Sequence, residues 1–189
     1  MTCLNKKTII NIQTDSLKFG LAIAVGQIFT NNNLNIRVII LSLVGFATYQ
    51  LIFSNKIYNT EKLDIRKRVP IDDFFKFATM LFVSKFLITG KLNLDNKFII
   101  DNINIVVALI LYNAYISKYI TAKLIKYNNN NNITFRDIMA INDSIKYSFV
   151  LISTGLLNDL AGVDKFGTEY IKLAAGYVTG LVTYDYVFS

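Results

Sequence analysis

The apolar residues of the chain are gathered into six runs of about 14 to 20 residues, the length of α-helix that crosses a hydrocarbon layer. Short polar connectors follow the first, third and fifth runs, and long connectors rich in Lys and Asn follow the second and fourth. This alternation predicts an all-α integral membrane protein, with six transmembrane helices arranged as three helical hairpins. The six predicted limbs are 17–30, 36–53, 74–89, 98–117, 145–160 and 168–188.

One short motif opens the first limb of each hairpin. Its three copies read DSLKFG, DFFKFA and DSIKYS, and each places a Lys three residues after an Asp and an aromatic residue directly after the Lys. A chain of this composition should contain on the order of 0.1 chance matches to this pattern, so three matches indicate an internal repeat. The charged residues of the motif are Asp15, Lys18, Asp73, Lys76, Asp143 and Lys146.

The second limbs repeat as well. Aligned without gaps, residues 44–54, 107–117 and 179–189 read VGFATYQLIFS, VALILYNAYIS and TGLVTYDYVFS. We therefore expect one membrane domain with hairpin repeats at 15–54, 73–117 and 143–189 and basic linkers at 55–72 and 118–142. A polar residue follows a shared tyrosine in every copy, and the three tyrosines are Tyr49, Tyr112 and Tyr184.

The repeated residues have architectural roles in this scheme. An Asp at the beginning of a limb can cap the free amides of the first helical turn. A Lys one turn further along can extend its side chain to the lipid headgroups. The three tyrosines are expected in an aromatic belt at the membrane interface. A sharper alternative is that the polar residues after the tyrosines, Gln50, Asn113 and Asp185, meet the motif lysines at the same membrane face.

Composition strengthens the membrane assignment and orients it. The chain is 53% hydrophobic and 17% charged, whereas soluble domains carry roughly 25% charged residues. Basic residues concentrate in the amino terminus and the long connectors, of which the second contains an Asn run at 128–132 that predicts a flexible loop. The positive-inside rule places the termini and long connectors on the cytoplasmic or equivalent side. The net charge of +7 indicates an anionic neighbour, either lipid headgroups or nucleic acid. The position of most basic residues at the ends of the apolar runs favours lipid headgroups.

The sequence contains no catalytic constellation. It has no His and a single Cys, Cys3, which excludes a His-containing triad, a His-based metal site and an internal disulfide. A phosphate-binding loop and a Gly-rich dinucleotide fingerprint are also absent. We therefore predict a non-enzymatic protein with no cofactor and no catalytic, cofactor-binding or metal-ligating residue.

Polar residues inside the predicted limbs keep a second hypothesis open. Lys85 lies twelve residues beyond Asp73, deep within its limb, and Gln27 occupies the equivalent position of the first hairpin. Among the three residues that follow the shared tyrosines, Asp185 is the acidic one. A charged group inside a bilayer is costly unless it is paired or hydrated, and such groups often line a path for ions or solutes. The alternative function is a small channel or carrier for an ion or small solute, with Gln27, Lys85 and Asp185 as its candidate residues.

The abundance of Asn, Ile and Lys, including KYNNNNN from Lys126, resembles that of virion membrane proteins of large DNA viruses that infect protists. The resemblance is one of composition, and it implies a structural protein of a virion or host internal membrane with a membrane or capsid protein as partner. Mitochondrial carriers are also threefold, but their Pro-x-acidic-x-x-basic motif is absent here. The leading hypothesis is a multi-pass structural membrane protein whose basic loops contact lipid headgroups or a partner.

Overall fold

The computed structural model of the chain confirms the all-α fold class. Among the residues that it describes there is no strand, and six continuous helical segments account for nearly all of them. Two of these segments contain a π-helical turn, at Gln50–Ser54 and at Tyr112–Ile116, and the second turn joins Asn96–Leu111 and Ser117–Asn131 into one uninterrupted helix. The described ranges are 6–31, 33–54, 65–90, 95–131 and 135–188. The α-helices are α1 Lys6–Asn31, α2 Ile36–Tyr49, α3 Ile65–Thr89, α4 Asn96–Leu111, α5 Ser117–Asn131, α6 Phe135–Leu160 and α7 Thr168–Val187.

The polar turns lie where the sequence predicts them. Helix α2 begins directly after Asn35, whose side-chain oxygen accepts a hydrogen bond from the Val38 amide at 3.3 Å. Asp95 caps α4 in the same way, although residues 91–94 of that predicted turn lie outside the described residues. In the third turn Gly162 has a φ of 68°, a conformation that glycine adopts without strain. Short polar side chains that cap amides therefore mark the starts of α2 and α4.

The predicted starts of the three helices that carry the motif, in contrast, are wrong. Helices α1, α3 and α6 begin eight or nine residues before the motif, at Lys6, Ile65 and Phe135. The prediction that the motif aspartates cap their helices is therefore wrong too. Asp15, Asp73 and Asp143 lie within helices rather than at their ends. Extending a helix that already exists costs far less than nucleating one, so a helix can continue past a residue that would also serve as its cap.

The long connectors are more helical than predicted. Helix α5 runs through the Asn tract as far as Asn131. The described part of the tract is therefore helical, and the prediction of a flexible loop there is wrong. The helix continues from α4 without a break, and its first half includes the good helix formers Lys118, Ala122 and Lys123. Residues 55–64 and 132–134 of the two connectors lie outside the described residues.

Contacts divide the chain into two compact units. The first consists of Met1–Gly20 and Asn35–Leu94, and in it α2 packs against α3. Its centre is aromatic, because the Phe19 ring stacks on the Phe46 ring with centroids 4.7 Å apart and the Phe77 ring meets both edge-on. Offset and edge-to-face arrangements of this kind are the favourable ones for aromatic pairs.

The second unit consists of Leu21–Leu34 and Asp95–Ser189. Here α6 packs against both α4 and α7, and the later part of α1 lies against α7. A Cβ added to Gly176 would lie 2.8 Å from the Cα of Gly26. Such close backbone approach needs small residues on both helices, as is common where helices pack in lipid.

Two of the described helical segments are long and apolar enough to cross a membrane, by length and composition. They are Ile36–Phe53, with a mean hydropathy of 1.9, and Asn96–Leu124, with a mean hydropathy of 1.7. Both expose branched apolar side chains along one face. The exposed residues are Ile36, Ile40 and Val44 on α2 and Ile99, Ile103 and Val107 on α4.

Candidate functional site

The aligned tyrosines of the second limbs are buried. Tyr49 and Tyr112 are at most 1% exposed and Tyr184 is 5% exposed, so the aromatic belt expected for these three residues is wrong. The positions four and three residues before each tyrosine are buried as well, and their residues are small and then apolar. A neighbouring helix can approach closely at the small residue, and it covers the ring one turn later.

The aligned glycines pack on the same position of a motif-bearing limb. A Cβ added to Gly45 would lie 2.6 Å from the Cα of Met80, and one added to Gly180 would lie 2.6 Å from the Cα of Ala22. Met80 follows its motif Asp by seven residues, and Ala22 does the same. Two separate pairs of helices, α2 with α3 and α7 with α1, therefore meet at equivalent positions of the alignment.

A buried ionic cluster lies beside Tyr49 in the first unit. The Tyr49 hydroxyl donates a hydrogen bond to a carboxylate oxygen of Asp72. The Lys76 ammonium lies 3.8 Å from the other carboxylate oxygen and 5.7 Å and 5.8 Å from the centroids of the Tyr49 and Phe19 rings. Asp72 is 6% exposed. The hydroxyl and the ammonium together compensate a carboxylate that has lost its water.

The second unit contains the equivalent contact without the charge. The Tyr112 hydroxyl lies 3.2 Å from the side-chain oxygen of Asn142, and Asn142 immediately precedes its motif Asp as Asp72 precedes Asp73. The tyrosine therefore pairs with the residue before the next motif in both cases. In one copy this residue is a carboxylate, and in the other it is a neutral amide.

The motif lysines do not extend to the surface as predicted. Lys18 and Lys146 are buried, Lys76 is nearly so, and the Lys146 ammonium lies 5.4 Å from the centroid of the Tyr147 ring. Each of these lysines lies eleven or twelve residues after the first residue of its helix. Of the polar residues expected to meet these lysines, Asn113 donates its side-chain amide to the Leu109 carbonyl of its own helix at 2.9 Å.

A polar cluster that the sequence did not single out joins α4, α6 and α7. The buried Asn158 amide donates to an Asp101 carboxylate oxygen at 2.6 Å, and the Asn158 oxygen accepts from Asn104 at 2.6 Å. The Tyr170 hydroxyl accepts from the same amide at 3.5 Å. The available signal was Asp101 with Asn104 in an otherwise apolar limb, because polar groups there are expected to have partners. The buried Thr154 hydroxyl, one turn before Asn158, finds no partner among the described residues.

The three candidate residues for a path are not assembled into one site within either unit. Gln27 and Asp185 both belong to the second unit, where Gly26 of α1 lies opposite Gly176 of α7. Gln27 is therefore level with Ala175, ten residues from Asp185, which corresponds to about 15 Å along the helix. Asp185 is buried and Gln27 is half-buried. Lys85 is a half-buried residue of α3 in the first unit.

The described residues contain no group of three or more His, Cys, Asp or Glu side chains that could hold a metal ion. No protein-family model, curated protein or solved structure matches the chain.

Proposed function

We propose that the protein is a non-enzymatic, multi-pass structural membrane protein built from three hairpin repeats. The observation that carries the proposal is the pair of exposed apolar stripes on α2 and α4. Both stripes occupy the same aligned positions, with Ile36 matching Ile99, Ile40 matching Ile103 and Val44 matching Val107. Contiguous exposed apolar surface of this kind is typical of faces that meet lipid or another protein.

The distribution of polar groups supports the same function. The Tyr49 hydroxyl, the Asp72 carboxylate and the Lys76 ammonium lie together inside the first unit, while branched aliphatic side chains face outward. Charged groups within a membrane protein face the interior and pair with one another, because hydrocarbon cannot solvate them. The exposed stripe is thus suited to lipid tails and the buried cluster to the space between helices.

The contacts of the aligned glycines support the repeat. Gly45 with Met80 and Gly180 with Ala22 are equivalent pairs, and so are Tyr49 with Asp72 and Tyr112 with Asn142. Equivalent residues making equivalent contacts are expected when one supersecondary unit is used several times. We therefore propose the hairpin boundaries 15–54, 73–117 and 143–189 for the repeats.

Cysteine accessibility tests the proposed topology. Starting from Cys3→Ser, single cysteines are introduced as Asn33→Cys and Asp164→Cys in the short turns and as Lys126→Cys in a long connector. A membrane-impermeant maleimide applied to sealed vesicles should label the two turn positions from one side and Lys126→Cys from the other. Detergent permeabilisation is the control and should expose all three. Labelling of every position from one side would overturn the six-span topology.

The compositional resemblance to virion membrane proteins extends the proposal to the internal membrane of a virus particle. In that setting the termini and long connectors face the cytoplasm-equivalent side, where a membrane or capsid protein is the partner. Co-purification with particles through a density gradient, and release only by detergent, is the expected result. Recovery of all the protein in a particle-free membrane fraction would contradict the virion location.

The polar cluster around Asn158 favours a second candidate function, a small channel or carrier. Asp101, Asn104 and Tyr170 surround this buried amide between three helices, and the Thr154 hydroxyl continues the polar surface by one turn. Ion flux into liposomes containing the purified protein, lost in Asp101→Asn and retained in the exposed control Asp164→Asn, would establish transport and overturn the purely structural role. Absence of flux in the parent protein supports the structural role.

A further inference from the structure

Helices α4 and α5 form an uninterrupted helix that is longer than a membrane span. The apolar segment Asn96–Leu124 has 29 residues, which corresponds to about 43 Å at 1.5 Å per residue, whereas the hydrocarbon core is ~30 Å thick. With the predicted limb starting at residue 98, about 20 residues cross the core and the chain reaches the opposite headgroups near Ser117. The first turn of α5 is therefore placed at the level of the headgroups, and the later lysines lie further out, at about the distance from which a long side chain reaches back to the phosphates.

One face of α5 carries lysine and tyrosine side chains. Successive residues of an α-helix are separated by about 100°, so Lys118, Tyr119, Ala122, Lys123 and Lys126 fall within an arc of about 140°. All five are exposed, and Tyr119 is 67% exposed. We call these five residues the basic face. Other parts of α5 contact the preceding π-helical turn and α6, which hold the helix against the second unit.

The charge of the basic face is not compensated within its own helix. Helix α5 contains three lysines and no Asp or Glu. Tyr115, one turn before Tyr119, is also 67% exposed. Exposed tyrosines followed by lysines along one helix match the order of layers at a bilayer surface, where aromatic rings sit at the interface and lysines reach the phosphates.

We propose that the basic face binds the anionic phospholipid headgroups of the bilayer surface on the long-connector side. This inference rests on the membrane insertion proposed above and identifies a helix, rather than a loop, as the element that contacts the headgroups. The lysine ammonium groups bind lipid phosphates and carboxylates, while Tyr115 and Tyr119 rest at the boundary with the acyl chains. A lysine near an anionic surface strengthens association about fivefold.

A single-tryptophan reporter tests the proposal, because the chain contains no Trp. The full-length Tyr119→Trp variant is reconstituted into zwitterionic bilayers containing either brominated phosphatidylserine or brominated phosphatidylcholine. Quenching of the reporter gives the ratio of the two lipid association constants at the basic face. We expect a ratio of about five to twenty-five, because one headgroup can contact one or two lysines, and we expect high salt to reduce it.

Two triple variants, each of which removes three positive charges, distinguish binding at the basic face from attraction by the net charge of the protein. Lys118→Gln, Lys123→Gln and Lys126→Gln together should lower the ratio to about one. Arg37→Gln, Lys165→Gln and Lys172→Gln remove three exposed charges at the short turns and should leave the ratio unchanged. A ratio near one in the parent reporter, or an equal fall in both triple variants, would overturn the proposal.

The remaining outcomes distinguish the two proposals. If neither brominated lipid quenches the reporter and the protein does not float with the vesicles, membrane insertion fails and the headgroup proposal fails with it. If both lipids quench equally, the protein is inserted but the basic face has no anionic preference. Salt-sensitive binding of a DNA duplex to the reporter, without any preference for phosphatidylserine, would assign the face to nucleic acid and overturn the lipid proposal.

Discussion

At the scale of single residues, two tyrosines at aligned positions differ in their partners, since one has a charged partner and the other a neutral one. Tyr49 donates to the Asp72 carboxylate, whereas Tyr112 pairs with the amide oxygen of Asn142. Hydrogen bonds to a charged group contribute more than neutral ones, and a buried carboxylate that loses a donor is poorly compensated. The two sites therefore allow a comparison of charged and neutral partners at equivalent positions.

Removal of the tyrosine hydroxyl should cost more in the first copy than in the second. We expect Tyr49→Phe to lower the free energy of unfolding by about 1.5–3 kcal/mol and Tyr112→Phe to lower it by about 0.5–1.5 kcal/mol. The measurement is a dodecyl sulfate titration in mixed micelles, followed by circular dichroism. The exposed Tyr119→Phe is the control and should change the value by less than about 0.5 kcal/mol. Equal losses for Tyr49→Phe and Tyr112→Phe would contradict the role of the charge.

At the scale of helices, packing depends on backbone contact at small residues. Gly45 and Gly180 each face the Cα of a neighbouring helix at a distance that leaves no room for a methyl group. Ala108 is the aligned residue of the third such limb and is fully buried with its methyl group. The three aligned residues are thus all buried, but at the two glycines a neighbouring backbone approaches too closely for a methyl group.

A methyl group at either glycine should push two helices apart. Gly45→Ala and Gly180→Ala are each expected to destabilise the protein by about 1–3 kcal/mol, because the obstructing atoms belong to backbone that cannot turn aside. Gly167→Ala is the control, since a Cβ there meets nothing within 4 Å, and it should cost no more than about 1 kcal/mol because Gly167 is the N-cap of α7. Thermal unfolding in detergent compares the three variants. Wild-type stability in Gly45→Ala would show that α2 and α3 are not in close backbone contact.

The Asn158 cluster joins three helices through one side chain, so its loss should affect their association. We expect Asn158→Ala to cost about 1–3 kcal/mol, because it leaves the Asp101 and Asn104 groups without their partner. Asn113→Ala removes only a bond within one helix and should cost less. The unfolding titration described above provides the comparison. A larger loss in Asn113→Ala than in Asn158→Ala would be inconsistent with a bridging role.

At the scale of the whole molecule, the proposed membrane environment determines whether an exposed apolar helix face is favourable or unfavourable. Val44 and Val107 are aligned, exposed and central in their predicted limbs. Exposed valines at these positions are favourable in hydrocarbon and unfavourable in water. The same pair of residues therefore distinguishes a membrane protein from a soluble helical protein.

A lysine at either valine should hinder insertion. Val44→Lys and Val107→Lys are each expected to cost about 3–4 kcal/mol at the centre of a span, which lowers the membrane-inserted fraction measured by carbonate extraction. Leu160→Lys is the control, because Leu160 ends α6 and is 86% exposed, so a lysine there can reach the headgroups. An unchanged membrane-inserted fraction in Val44→Lys and Val107→Lys would argue against a lipid-facing stripe.

The sequence by itself determined the helical class, the turns and the aligned positions of the second limbs. These features depend on local signals, namely the length of apolar runs and the side chains that end or cap a helix, such as Asn35 and Asp95. The tertiary structure alone decided that α1, α3 and α6 begin before their motifs, that Tyr49 and Tyr112 are covered, and that Asn158 joins three helices. The extent of a helix and the partner of a buried polar group depend on packing against parts of the chain that are distant in sequence. A local sequence pattern does not specify which distant parts those are.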